Sequence, residues 1–104
     1  MEEHKYELIV CIVNAGFSQN VMEAARAAGA QGGTILRARG AANPEAEEFF
    51  NINIQADKEM VLILVPKAIK DNVLKAVYKD CGLADEARGI AFSLPVHRTT
   101  TIKE

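Results

Sequence analysis

Two stretches of this chain, Leu8-Ile9-Val10-Cys11-Ile12-Val13 and Met60-Val61-Leu62-Ile63-Leu64-Val65, are apolar at every position. A strand with one wet face alternates apolar and polar residues, because successive side chains point to opposite faces. A strand with no polar position has to be dry on both faces. The rest of the sequence must therefore supply cover for two faces of a sheet, and that requirement limits the folds available.

The remaining elements follow from periodicity and punctuation. Val21, Met22, Ala25 and Ala28 recur at helical spacing, with Ser18 as expected N-cap and Gly29 at the position after the C-cap. Gln31-Gly32-Gly33 predicts a tight turn. Thr34 to Arg39 reads as a strand with Ile35, Arg37 and Arg39 on one face and Leu36 and Ala38 on the other. Gly40 to Glu48 reads as a small, polar, acidic loop, the most mobile internal segment expected. Phe49 to Ile54 alternates and, across a polar turn at 55–59, predicts a hairpin with the strand at 60–65. Pro66 ends that strand. Ile69, Val73, Val77 and Cys81, with Leu74 beside them, give a second amphipathic helix closed by Gly82. Gly89 to Val96 is the last strand, and 97–104 is a polar tail.

This order gives an α+β fold, a ferredoxin-like βαββαβ sandwich with an antiparallel sheet and one short extra strand. Residues 1–104 form a single domain. In this plan both helices cover the same face of the sheet, and a chain of 104 residues has no further element for the other. A second copy of the chain is the simplest cover, so the sequence predicts an oligomer.

Several function classes drop out on composition. Net charge is -2, from 12 basic and 14 acidic residues, so no basic surplus addresses nucleic acid. An RNA-binding domain of this topology stacks bases on aromatics of its central strands, and these strands carry none. No apolar run is long enough to cross a bilayer, and the acidic start Met1-Glu2-Glu3 does not look like a secretory signal; a cytoplasmic protein is expected. Cys11 and Cys81 read as buried, reduced thiols. His4 and His97 read as surface histidines without metal-ligand spacing, and no metal site is expected. Asp85 and Glu86 are adjacent carboxylates, but no nucleophile, base or cofactor motif accompanies them, so no enzyme is expected. Glu45, Glu47 and Glu48 read as a solvated acidic loop. Phe49-Phe50 is open between core and docking pair. Arg37 and Arg39 are open between solvated edge charges and anion contacts. The Gly29, Gly32 and Gly33 set is open between caps and a ligand-contacting turn. Arg88 beside Gly89 is the better anion candidate, a guanidinium next to accessible backbone N–H groups.

Gly29-Ala30-Gln31-Gly32-Gly33-Thr34 leading into Arg39-Gly40, Met60 to Pro66 before an amphipathic helix, and Arg88-Gly89-Ile90-Ala91-Phe92-Ser93-Leu94-Pro95-Val96 before a basic tail resemble, in order and spacing, the P-II family of signalling proteins. The resemblance covers about residues 6 to 103. It implies a homotrimer that binds an adenine nucleotide in clefts between subunits and regulates a target transporter, enzyme or regulator through a flexible T-loop. No cofactor is required; ATP, ADP, AMP or cyclic AMP is the implied effector. By position it implies Gly32, Gly33 and Thr34 on the adenine side, Gly40 at the base of the T-loop, Arg88 and Gly89 at the end of a phosphate-holding B-loop, and Lys103 as a C-terminal phosphate ligand. Departures are visible too. The loop at 41–48 is short and has no tyrosine, so control by uridylylation is not supported. Residues 83–88 are not glycine-rich, and Thr101 stands where the family has an arginine. A CutA-like trimer linked to divalent metals and an ACT-like small-molecule sensor share the topology; the first usually carries a Cys, His and carboxylate cluster absent here, and the second is usually fused to an enzyme.

Overall fold

The computed structural model describes residues 4–41, 56–82 and 85–100. The expected strand at 49–54, the Phe49-Phe50 pair, Glu45, Glu47, Glu48 and nearly all of the 41–48 loop lie outside them. The elements are β1 (Tyr6–Asn14), α1 (Ser18–Ala27), β2 (Thr34–Arg39), β3 (Asp57–Pro66), a short 3₁₀ turn (Lys67–Ile69), α2 (Lys70–Cys81) and β4 (Ile90–Val96). The strands form one antiparallel sheet in the order β2-β3-β1-β4. This is the ferredoxin-like arrangement, and the two wholly apolar strands are the central pair, where neither edge meets water.

The register separates the two faces. Ile9 pairs with Ile63 and Cys11 with Val61, and all four, with Val13 and Val65, have no exposed surface. They meet Val21, Met22 and Ala25 of α1 and Val73, Val77 and Cys81 of α2 in one core. On the opposite face Leu8, Ile12, Leu62 and Leu64 are half-buried. The edges continue that apolar face, with Leu36 on β2 45% exposed and Phe92 and Leu94 on β4 44% and 48% exposed. A single subunit thus leaves an apolar surface running across all four strands, larger than solitary surface hydrophobics explain.

Several boundaries differ from expectation, each for a tertiary reason. β3 begins at Asp57, where a polar turn was expected, because Glu59 and Asp57 stand opposite Arg37 and Arg39 in the register with β2. Opposite charges facing across a strand pair support a strand that apolar patterning cannot reveal. Ser18 is the first helical residue of α1 and not its cap; the cap position is Phe17, whose side chain cannot accept a bond. Glu59 of β3 does so instead. Its Oε1 accepts from the amides of Gly16 at 2.7 Å and Ser18 at 3.3 Å. At the other end Gly29 has φ 109°. Its amide donates to Arg26 O and that of Ala30 to Ala25 O, both at 3.0 Å, the Schellman closure that a left-handed glycine permits. Gln31 to Gly33 is not a turn, and neither glycine there has a positive φ. Gly33 is needed for space: a Cβ would stand 2.9 Å from Leu62 O and 3.0 Å from Met22 Sδ. Among the described residues no helix is long and apolar enough to cross a membrane.

The two faces of β3 make a paired prediction. Ile63→Glu places an unpaired carboxylate under the helices, at several kcal/mol, and is expected to unfold the chain. Leu62→Glu places it on the open face and is expected to leave a folded, helical protein that no longer self-associates. Circular dichroism melting with sedimentation velocity reads both; two folded, fully assembled variants would contradict this assignment of faces.

Candidate functional site

The turn before β4 holds Arg88. Asp85 opens it: the Ala87 amide donates to Asp85 Oδ1 at 3.3 Å and the Arg88 amide to Asp85 O at 3.0 Å. The carboxylate of Asp85 thus serves its own turn. Arg88 is exposed and has a φ of 49°, the one non-glycine residue in the left-handed region among those described. Such a conformation costs a side-chain-bearing residue about 1 kcal/mol or more. Gly89 has a different reason to be glycine. Its amide donates to Cys81 O at 2.9 Å. A Cβ would lie 2.1 Å from that oxygen and 2.8 Å from Val13 Cγ1. The Gly89 N–H is therefore spent inside the protein, not held open for an anion.

Gly40 lies at the same end of the sheet. Its amide donates to Ala56 O at 2.7 Å, closing the base of the loop that leaves β2. A Cβ on Gly40 would come within 3.1 Å of Lys58 Cε, so the missing side chain is the seat of the lysine stem. The Lys58 ammonium donates to Asn14 Oδ1 at 2.6 Å. Asn14 Nδ2 donates to Glu86 O at 3.0 Å, and its backbone N to Ala87 O at 2.8 Å. Gly40 and the Arg88 turn are thus joined through two residues that sequence reading passed over, Asn14 just past the apolar run at 8–13 and Lys58 within the polar turn expected at 55–59. The available signal was a single polar residue ending a wholly apolar strand.

Beside them, Ala15, Gly16, Arg37, Ala38, Asp57, Lys58 and Glu59 line a polar cleft of about 380 Å³. Arg37 is exposed on its rim. The Gly16 amide, followed by that of Ser18 and by Arg37, holds the Glu59 carboxyl below its ordinary value against a partial desolvation that pushes the other way. Gly32, Gly33 and Thr34 stand elsewhere. Thr34 pairs with Leu62, four positions along β3 from Lys58, roughly 13 Å at 3.3 Å per residue. One subunit therefore brings Gly40, Arg88 and Gly89 to one end and leaves the 32–34 segment apart. Lys103 lies outside the described residues.

The other candidates resolve into structure. Both cysteines are free and buried. Burial, and secondarily the nearby Cys81, push the Cys11 thiol up to about 12. Burial raises Cys81 as well, with Asp80 and Asp85 adding to it. Thiols held protonated in this way are inert. His4 is not a solitary surface residue; its Nε2 meets Glu7 Oε2, and Glu7 is buried.

The chain matches the family model described as nitrogen regulatory protein P-II over residues 6–104. Among solved structures it resembles Arabidopsis thaliana PII bound to citrate, with TM-score 0.67 and 24% identity over 89% of this chain and 78% of that one. It also resembles the GlnK-ATP complex of B. subtilis, with TM-score 0.68 and 12% identity over 92% and 85%. A Bacillus cereus protein related to NIF3 matches with TM-score 0.70 and 14% identity over 94% of this chain but only 27% of its own length. A search of curated proteins gave no match.

Glu59 carries a pH prediction. A carboxyl held below its ordinary 4.5 adds stability that is present above pH 4.5 and is lost as pH falls through its lowered folded value. Glu59→Gln should therefore melt below the parent at neutral pH, and the gap should close as pH drops beneath 4.5. A gap that stays constant down to the acid limit would mean the carboxylate charge contributes nothing at the start of α1.

Proposed function

We propose, for a chain that belongs to the nitrogen regulatory P-II family, that it is a non-enzymatic signalling subunit that takes an adenine nucleotide in clefts between the subunits of a homotrimer. The observation that carries this reading is Arg88. It stands exposed in a left-handed conformation, on a turn hydrogen-bonded through Asn14 and Lys58 to the base of the loop that starts at Gly40. An exposed arginine on a strained backbone turn that is tied to a loop base suits an anion-responsive device better than it suits a solvated surface.

Two features support the assembly. The apolar face opposite the helices needs cover that the described residues do not provide, and the family likeness implies a trimer. The separation of Gly32, Gly33 and Thr34 from Arg88 within one subunit fits a cleft completed by a neighbour, adenine on one side and phosphates on the other. Gly40 and Gly89 shape the loop bases, and Lys103 adds an ammonium from the C-terminal tail. Related proteins have been solved with citrate and with ATP, two multiply charged anions, and ATP, ADP, AMP and cyclic AMP all present such a group. The 41–48 loop is the segment that passes the ligand state to a target protein, for which a membrane transporter is a candidate.

Arg88→Ala should weaken nucleotide binding roughly ten- to a hundredfold, since a charge-assisted bond is worth about 1.5–3 kcal/mol and each 1.4 kcal/mol is about tenfold. It should leave assembly intact, because the turn lies outside the open sheet face. Lys103→Ala should do less, lacking the bidentate fork. Calorimetric titration with the four nucleotides, alongside sedimentation, makes the measurement. Parent-like affinity in Arg88→Ala would move the site elsewhere, and a parent that binds none of them would remove the nucleotide reading.

A further inference from the structure

We propose that Asn14 is a positioning residue, a polar bridge that sets the spacing between the base of the Gly40 loop and the Arg88 turn so that a change at either is felt at the other. The inference deepens the nucleotide reading above, but its first test does not depend on it.

The chemistry of the partners fixes the orientation of the amide. Lys58 can only donate, so Oδ1 faces its ammonium at 2.6 Å; the Glu86 carbonyl can only accept, so Nδ2 faces it at 3.0 Å. Asn14 is 7% exposed. The side chain itself therefore has little access to water at the end of β1. The backbone holds that place firmly: Asn14 N donates to Ala87 O at 2.8 Å and Phe17 N to Asn14 O at 3.2 Å. The Lys58 stem in turn fills the space that Gly40 leaves empty. The bridge therefore has both ends seated, one on a loop base and one on the turn that carries Arg88. No shorter residue spans the gap. Aspartate offers Lys58 an acceptor but turns a second acceptor on the Glu86 carbonyl.

Amide hydrogen exchange on the intact protein without ligand tests the bridge, because every amide concerned has a known acceptor. Lys58→Met keeps the stem over Gly40 and removes the ammonium. It should raise exchange at Ala87 and Arg88, on the far side of Asn14 from the ammonium, by about tenfold, the lower end of the scale for one lost charge-assisted bond. Asn14→Ala should raise exchange at those amides and at Gly40. Asn14→Asp should raise it at the turn while sparing Gly40. Lys58→Met added to Asn14→Ala should change the turn no further, the non-additivity expected of residues acting as one unit. Unchanged exchange at Ala87 and Arg88 in Lys58→Met, or additive effects in the double variant, would overturn the bridge. Where the parent binds nucleotide, Asn14→Ala should weaken it about tenfold with assembly unchanged. Exchange coupling without an affinity change would limit the bridge to the fold and deny it a part in the site. A parent that binds no nucleotide fails the functional reading, and the exchange data then judge the bridge alone.

Discussion

Everything in this molecule is arranged around the pairing of β1 with β3, two strands with no polar position between Leu8 and Val13 or between Met60 and Val65. Side chains on a strand alternate faces, so two such strands at the centre of a sheet create two apolar surfaces. Fully burying a Val, Leu or Ile side chain is worth about 1.5–3 kcal/mol. The core formed with α1 and α2 collects that gain on one side. The other side remains apolar and open, whereas the outward surfaces of the helices are mostly polar, with Tyr78 the large exception.

At one end of the sheet this apolar logic stops. Asn14 follows one apolar run directly, Lys58 and Glu59 lead into the other, and each is used to hold a neighbouring segment. Glu59 satisfies amides at the start of α1, the place where a helix leaves N–H groups without partners. Lys58 and Asn14 tie the Gly40 loop base to the Arg88 turn. The glycines here report contact more than conformation. Gly40 gives room to Lys58, and Gly89 gives room to the Cys81 carbonyl and Val13. Hydrogen bonds thus fix both the loop base at Gly40 and the turn that carries Arg88.

Much of the fold was legible in the chain. Both apolar strands, both amphipathic helices, the left-handed Gly29 and the α+β order could be read from periodicity and punctuation, which depend on neighbours only a few residues apart. The candidate site was legible in fewer places. Arg88 and Gly40 could be singled out as residues, but Lys58 and Glu59 read as parts of a polar turn and Asn14 only as the residue after an apolar run. Their importance comes from partners 41 to 72 positions away, and no local pattern encodes such a partner. The same holds for Ser18, a good capping residue by propensity that lost the role to a carboxylate on another strand, and for His4, which reads as a surface residue until the fold sets it against buried Glu7.

The sequence by itself determined the class of fold, the wholly apolar central strands and the apolar character of the second sheet face, because hydrophobic periodicity is local and burial is close to proportional to apolar area. Only the tertiary structure decided which face the helices take, where β3 begins, why Gly33, Gly40 and Gly89 lack side chains, and which polar residues bind the two loop bases together. Those outcomes rest on register and on hydrogen-bond geometry, where a shift of one residue exchanges the faces of a strand and an ångström separates a bond from none.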